Sequence, residues 1–285
     1  MRTSTRRRTR PKTSNVSREG ATATLRRITT FPVKSLDPQS LASVDVVENG
    51  GLAGDREFAL VDADGEYVNG KRTAAIHRVR SSVDRERGTV TLRAPETESV
   101  TAPIDADSEA LTDWLSRYFD DPVSLRRDRA GGFPDDTQAS GPTVVSTATI
   151  RELASWYEGV DVESMRRRLR ANLEVDGVPA FWEDRLFSDR DRRVAFEVGD
   201  VRLKGVNPCQ RCVVPSRDPE TGEAHPGFRE TFVEKRRETM PDWSGGDWFD
   251  HHFRVMVNTV VPESEWGKTL SVGDEVRVLE TVPNE

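Results

Sequence analysis

Apolar and polar positions alternate in short runs along most of this chain. Leu25-Arg26-Arg27-Ile28-Thr29-Thr30-Phe31 has strand-like content, and similar runs follow at residues 43–47, 57–61, 88–93 and 99–104. Asn49-Gly50-Gly51, Asp64-Gly65 and Arg87-Gly88 supply turns between them. Leu111, Trp114, Leu115 and Tyr118 instead recur at helical spacing, with Asp107 or Ser108 as N-cap. A stretch rich in Gly, Pro and Asp, residues 128–141, then interrupts the pattern, and a domain boundary is expected near residue 126. Beyond it, the pattern predicts a strand at 143–145 and a helix at 148–157, with Ser146 or Thr147 at the helix start. A helix over Val162–Leu169 capped by Asp161 and a strand at 172–175 follow. Val194, Phe196 and Val198 alternate, Gly199-Asp200 turns, and Val201 and Leu203 alternate again, which predicts a hairpin. Later come a helix at 230–237, a strand through Phe253, Val255 and Val257, and a last strand at 275–279 after Gly273-Asp274. Short strands with regular turns imply a β-rich barrel or sandwich with inserted helices. The βαβ alternation and glycine loop of a dinucleotide-binding sheet are missing.

Charge divides the chain. The net charge is −7, yet residues 1–20 carry seven basic side chains and one acid, which leaves the remainder at −13. The basic start lacks a following apolar segment, so it is not read as a secretory signal. A disordered tail, an early start codon and a nucleic-acid arm each fit it, and a disordered tail over 1–20 with no nucleic-acid partner is the expectation adopted. Arginines outnumber lysines 36 to 6. An acidic body poor in lysine suits concentrated salt; a GC-rich genome would produce the same counts. No run reaches the roughly 18 apolar residues of a membrane span, so no membrane partner is expected.

Cys209 and Cys212 are the two cysteines. Two are too few for a disulfide scaffold, a four-cysteine iron–sulfur cluster or a four-cysteine zinc site, and a reducing, cytoplasmic compartment is expected. Cys209-Gln210-Arg211-Cys212 admits four readings. A thioredoxin-like dithiol needs its first cysteine at a helix N-terminus, whereas Val213-Val214-Pro215-Ser216 reads as extended. A zinc site would recruit among His225, His251 and His252, which have no regular spacing. The pair could be buried and structural. Lastly, one thiolate could bind a soft metal centre, kept deprotonated by Arg211 and nearby peptide groups.

Three segments then share one resemblance. Val206-Asn207-Pro208-Cys209-Gln210-Arg211-Cys212, followed by Asp218-Pro219-Glu220-Thr221-Gly222, resembles the signature of the MOSC family, an Arg-Cys pair and then Asp-Pro-x-Thr-Gly. Phe31-Pro32-Val33-Lys34-Ser35 resembles the opening of the MOSC N-terminal β-barrel domain, and Gly51-Leu52-Ala53-Gly54-Asp55-Arg56-Glu57-Phe58 its Gly-Leu-x-x-Asp-Arg segment. Arg170-Ala171-Asn172 resembles a family Arg-Pro-Asn. The resemblance spans about residues 23–280.

The resemblance implies an α+β, predominantly β fold, with an N-terminal β-barrel-like domain over 21–126 and a β-barrel MOSC domain over 127–285 with inserted helices. It implies the molybdenum cofactor, with Cys212 as catalytic group and metal ligand. Lys34, Ser35, Arg56, Ser146, Arg170, Asn172 and Arg211 would hold the pterin and its phosphate, cations and hydroxyls being suited to a ligand negative at both ends. The implied activity is reduction of a small N-hydroxylated compound, with electrons from a separate ferredoxin or reductase. Sulfur carriage on a Cys212 persulfide and non-catalytic carriage of the cofactor are the alternatives, and pyridoxal phosphate binding is a family-level association. Two departures stand out: Asn69-Gly70-Lys71-Arg72 where the family often has Thr-Ala-Arg-Gln, and Pro215-Ser216 where it has paired threonines. The second is expected to reshape a substrate pocket.

Overall fold

A computed structural model describes residues 22–244 and 248–284; the expected tail over 1–20 lies outside the described residues. The chain runs β1 (Thr24–Thr30), β2 (Gln39–Leu41), β3 (Ser43–Asp45), β4 (Phe58–Asp62), β5 (Arg80–Asp84), β6 (Thr89–Ala94), β7 (Thr97–Pro103), α1 (Glu109–Phe119) and β8 (Val123–Arg127). There follow β9 (Val144–Ser146), α2 (Thr147–Ser155), α3 (Val162–Leu169), β10 (Leu173–Asp176), β11 (Arg192–Val198), β12 (Val201–Gln210), α4 (Phe228–Thr239), β13 (Arg254–Val260), β14 (Thr269–Ser271) and β15 (Val276–Pro283). The fold is β-rich, as expected.

In the first half, β5, β6 and β7 form an antiparallel meander, while β4 pairs with β8. The helical stripe does what its spacing predicts: Leu111, Trp114 and Leu115 are buried, against Leu60, Ile76, Val90, Leu92 and Leu125. Tyr118 is shared between core and rim. Its ring stacks on Trp114 at 5.6 Å, and its hydroxyl donates to the Ala75 carbonyl at 2.9 Å. Ser108 occupies the N-cap position but makes no side-chain capping bond.

The second half is built on an eight-stranded sheet ordered β15-β11-β12-β13-β9-β10-β1-β2. The first strand of the chain thus pairs antiparallel with β10, more than a hundred residues later. The sheet curls into a barrel-like form without closing fully. Its ladder is interrupted, but a single bridge joins Thr24 to Glu275 and brings β1 against the start of β15. Leu25, Ile28, Leu173, Phe196, Leu203 and Val257 fill the inside of the curl. The β11–β12 hairpin turns at Gly199-Asp200 with Val198 opposite Val201, and Gly199 adopts a φ of 57°. Asp161 caps α3 by accepting from Ser164 N at 2.7 Å.

One local expectation fails. Val214–Ser216 is a single 3-10 turn rather than extended chain. Pro215 sits in its first turn, where a fixed φ helps and a missing N–H is not needed. Strands β2, β5 and β14 are too short or too polar to register as apolar alternation. Among the described residues, no helix is long and apolar enough to cross a membrane.

Candidate functional site

A cavity of about 680 Å³ is lined by segments from both halves of the chain. Its lining holds eleven lysines and arginines against four aspartates. In a chain of net charge −7, that is a local concentration of cations with a site's character.

The segment after β1 and the turn before β4 bring the first cations. Lys34 Nζ donates to the carbonyls of Phe133 at 2.8 Å and Pro134 at 3.4 Å, and to Asp135 Oδ1 at 2.8 Å. Burial lowers the Lys34 pKa, against the pull of Asp135. Ser35 follows at a φ of 75°, a left-handed bend that turns the chain along the cavity wall. Arg56 also has a positive φ, 51°. Its backbone N donates to Phe31 O at 2.8 Å, and its guanidinium pairs with Asp55 and stands 3.9 Å from Asp135. Burial opposes its charge, but Asp55 and Asp135 outweigh burial and raise its pKa.

Arg170 arrives from the other half, as the left-handed C-cap of α3 at a φ of 57°. Its Nη1 donates to Leu36 O at 2.9 Å. Arg170 and Arg56 lie over the same Phe31 ring, at 4.0 and 5.0 Å from its centre. Burial and then the Arg56 charge push the Arg170 pKa down to about 10. Asp135 answers these cations. Burial works against its ionisation, yet Arg56, Lys34 and Arg170 hold its carboxyl well below the usual range. Asn172 is buried and its amide is fully engaged. Nδ2 donates to Thr29 O at 3.0 Å and Asp55 Oδ2 at 3.1 Å, while Oδ1 accepts from Thr143. Asn172 thereby fixes Asp55, and Asp55 fixes Arg56.

The two cysteines enter on the end of β12. Cys209 lies within the strand, so it is not at a helix N-terminus, as a thioredoxin-like dithiol requires. Both thiols are half-buried, free and part of the cavity lining. The Arg211 fork reaches Cys209 and not Cys212: Nη1 donates to Cys209 Sγ at 3.1 Å and Nη2 to Leu169 O at 3.0 Å. Its Nε is buried without a partner. Among the described residues no group of three or more His, Cys, Asp or Glu gathers around a possible metal position, so the geometry offers a single thiolate rather than a zinc cage.

Lys34, Ser35, Arg56, Arg170, Asn172, Arg211 and Cys212 therefore meet in one cavity. Ser146 does not. It is fully buried as the N-cap of α2, its hydroxyl accepting from Thr149 N at 3.0 Å and bonded to the Thr149 hydroxyl at 2.8 Å. Helix capping consumes the group that a ligand would need. Sequence reasoning passed over Asp135, His77 and Arg217, which also line the cavity. Asp135 sat in a segment read only as a boundary, and the other two had no motif around them. Burial, followed by the charges of Arg170, Arg217 and Arg80, pushes His77 down to about 4, and its Nε2 has no partner.

A family model described as MOSC N-terminal beta barrel domain matches residues 22–125, and the MOSC domain model matches residues 140–277. The chain belongs to the MOSC family. Relatives of this MOSC protein include mitochondrial amidoxime-reducing component 1 of Danio rerio, 25% identical over 69% of this chain and 69% of that protein. Mitochondrial amidoxime reducing component 2 of Rattus norvegicus is 23% identical over 70% of this chain and 68% of its own. Molybdenum cofactor sulfurase of Homo sapiens is 20% identical over 72% of this chain, but the match spans only 28% of that longer protein. MOSC membership and the names of these relatives point to association with the molybdenum cofactor.

Proposed function

We propose that the cavity binds the molybdenum cofactor and that the protein is a molybdenum-dependent oxidoreductase reducing N-hydroxylated compounds. The observation that carries this reading is convergence: a half-buried thiol and cations from separate segments line one cavity in an acidic protein. The donor set suits the group. Asp135 already puts a carboxylate among Lys34, Arg56 and Arg170, as an anionic ligand would. Cys212 is free to offer a soft thiolate, while Arg211 is occupied with Cys209.

On this reading Lys34, Ser35, Arg56 and Arg170 hold the negative ends of the pterin, and Arg211 braces the loop beside it. Asn172 acts through Asp55 to keep Arg56 in place. Cys212 is the protein's bond to the metal. When bound, the cofactor would supply the metal centre at which R–NH–OH, two electrons and two protons become R–NH2 and water. The chain contributes orientation and charge compensation. The two cysteines of these 285 residues are too few for a four-cysteine cluster within them, and on this reading a ferredoxin or reductase supplies the electrons. A cytoplasmic setting belongs to the same reading.

Sulfur carriage on Cys212 is the second reading, favoured by the sulfurases among the relatives. Metal and pterin analysis of protein made in a cofactor-producing host, with reduced viologen as electron donor, separates the two. Near-stoichiometric molybdenum with reduction of a hydroxylamine supports the oxidoreductase. Protein free of metal but carrying cyanolysable sulfur on Cys212 would overturn it.

A further inference from the structure

The two places where this chain departs from the family pattern, residues 69–72 and Pro215-Ser216, lie far apart in sequence. In the fold Gly70 of the first lies against Val214, the residue before the second. A β-carbon added at Gly70 would stand 2.5 Å from His77 Nε2 and 3.3 Å from a Val214 methyl, so glycine keeps the loop before Lys71 close to His77 and to the turn Val214–Ser216. The contact makes one wall of the cavity, next to Cys212 in sequence and in the lining.

Charge on this wall is unmatched. The cavity's four aspartates are Asp37, Asp55, Asp135 and Asp136. Asp37 is tied to Arg80 at 3.0 Å, Asp55 and Asp135 pair with Arg56 and Lys34, and Asp136 forms no ion pair among the described residues. Lys71 forms no ion pair among the described residues, and its charge acts on Lys34 across the cavity. Arg217 gives Nη1 to the Gly222 carbonyl at 3.0 Å, forms no ion pair among the described residues, and keeps a buried Nε without a partner. His77 stands beside Gly70, where burial and the charges of Arg170, Arg217 and Arg80 keep its ring uncharged. These groups are distinct from the set assigned to the cofactor. Half-buried Arg217 and exposed Lys71, without counter-ions among the described residues, gain most from an anion arriving with its own charge, gain little from a neutral molecule, and repel a cation.

We propose that the Lys71–His77–Arg217 wall selects substrates bearing an anionic group, a carboxylate or phosphate, beside the N-hydroxylated centre. This rests on the oxidoreductase reading and narrows its substrate class.

The test compares phenylhydroxylamine with 4-(hydroxyamino)benzoate on cofactor-loaded protein. The carboxylated compound should show kcat/KM about tenfold higher, as a charge-assisted contact would give. Lys71 is exposed, so Lys71→Glu keeps the fold and should invert that ratio. Arg217→Gln should lower it. Calorimetric binding of the same two compounds to the oxidised, donor-free protein should show the same preference. A ratio near one in the wild type, or a preference that survives Lys71→Glu, overturns the proposal. If neither compound is reduced, the oxidoreductase reading fails by itself, and the calorimetric preference still decides whether the wall selects anions.

Discussion

Two regions of this protein take charged groups out of water, and they do it differently. On the buried face of α4, Arg236 is fully buried and pairs with Asp184, which also accepts from Ser244 at 3.1 Å. Phe181 and Phe249 cover the guanidinium at 4.2 and 5.5 Å. Glu183, also fully buried, accepts from the Thr149 hydroxyl at 3.0 Å. Burial, then the Asp184 charge, pushes it up to about 7, so its proton stands in for a second cation. That cluster supplies its own counter-charge, although Glu183 Oε1, Asp184 Oδ1 and Arg236 Nη1 lack hydrogen-bond partners. The cavity does not: Arg170 and Arg56 share one ring, and Lys71, Arg211 and Arg217 form no ion pair among the described residues. A closed charge cluster holds a fold together, whereas an unbalanced one facing a cavity waits for a ligand.

Removing the cation from the closed cluster should be the most damaging change. Arg236→Met leaves Asp184 buried without its partner, at a cost of roughly 3–5 kcal/mol. The urea midpoint should drop accordingly, and adding Asp184→Leu should recover much of the loss. A single-mutant cost below about 1 kcal/mol would mean that the cluster is not balanced in the way described.

Glu183 sharpens the comparison through pH. Its folded pKa, about 7, lies above the ordinary 4.5. The unfolded chain therefore gives up the proton first, and stability falls as pH rises from about 4.5 to about 7. The full penalty, on the order of 3 kcal/mol, persists above that window. Glu183→Gln should match the wild type near pH 4 and exceed it in thermal midpoint at pH 8. Equal midpoints at both pH values would contradict the burial argument.

The smallest effect is expected in the cavity. Burial and Arg56 already disfavour the Arg170 charge, so Arg170→Met should leave apo stability within about 1 kcal/mol of the wild type, while purified protein carries less cofactor. A loss as large as that of Arg236→Met would erase the distinction between the two regions.

Much of this was legible in the sequence where a local rule dictated local structure. The α1 stripe, the Asp161 cap and the Gly199-Asp200 hairpin depend on spacing of a few residues. The cavity cations were found because their motifs are contiguous: Lys34-Ser35, Asp55-Arg56, Arg170-Ala171-Asn172 and Arg211-Cys212. What stayed hidden depends on long-range placement. β1 joins β10 through pairing that no local pattern records. Asp135 meets Lys34 across a hundred residues. Ser146 looked available until its hydroxyl was seen capping α2. The partner of Arg211 could not be chosen from Cys209-Gln210-Arg211-Cys212, because strand geometry decides which thiol the fork reaches.

That choice is also where the central claim is most exposed. Molybdenum content and viologen-linked turnover should be measured side by side for Cys212→Ala and Cys209→Ala. The account predicts that Cys212→Ala abolishes turnover and loses most of its metal. Cys209→Ala gives up one half-buried thiol and its bond from Arg211, costs about 1 kcal/mol of stability, and keeps most of both. Loss in both variants, or loss confined to Cys209→Ala, would contradict the assignment of Cys212 as the metal ligand.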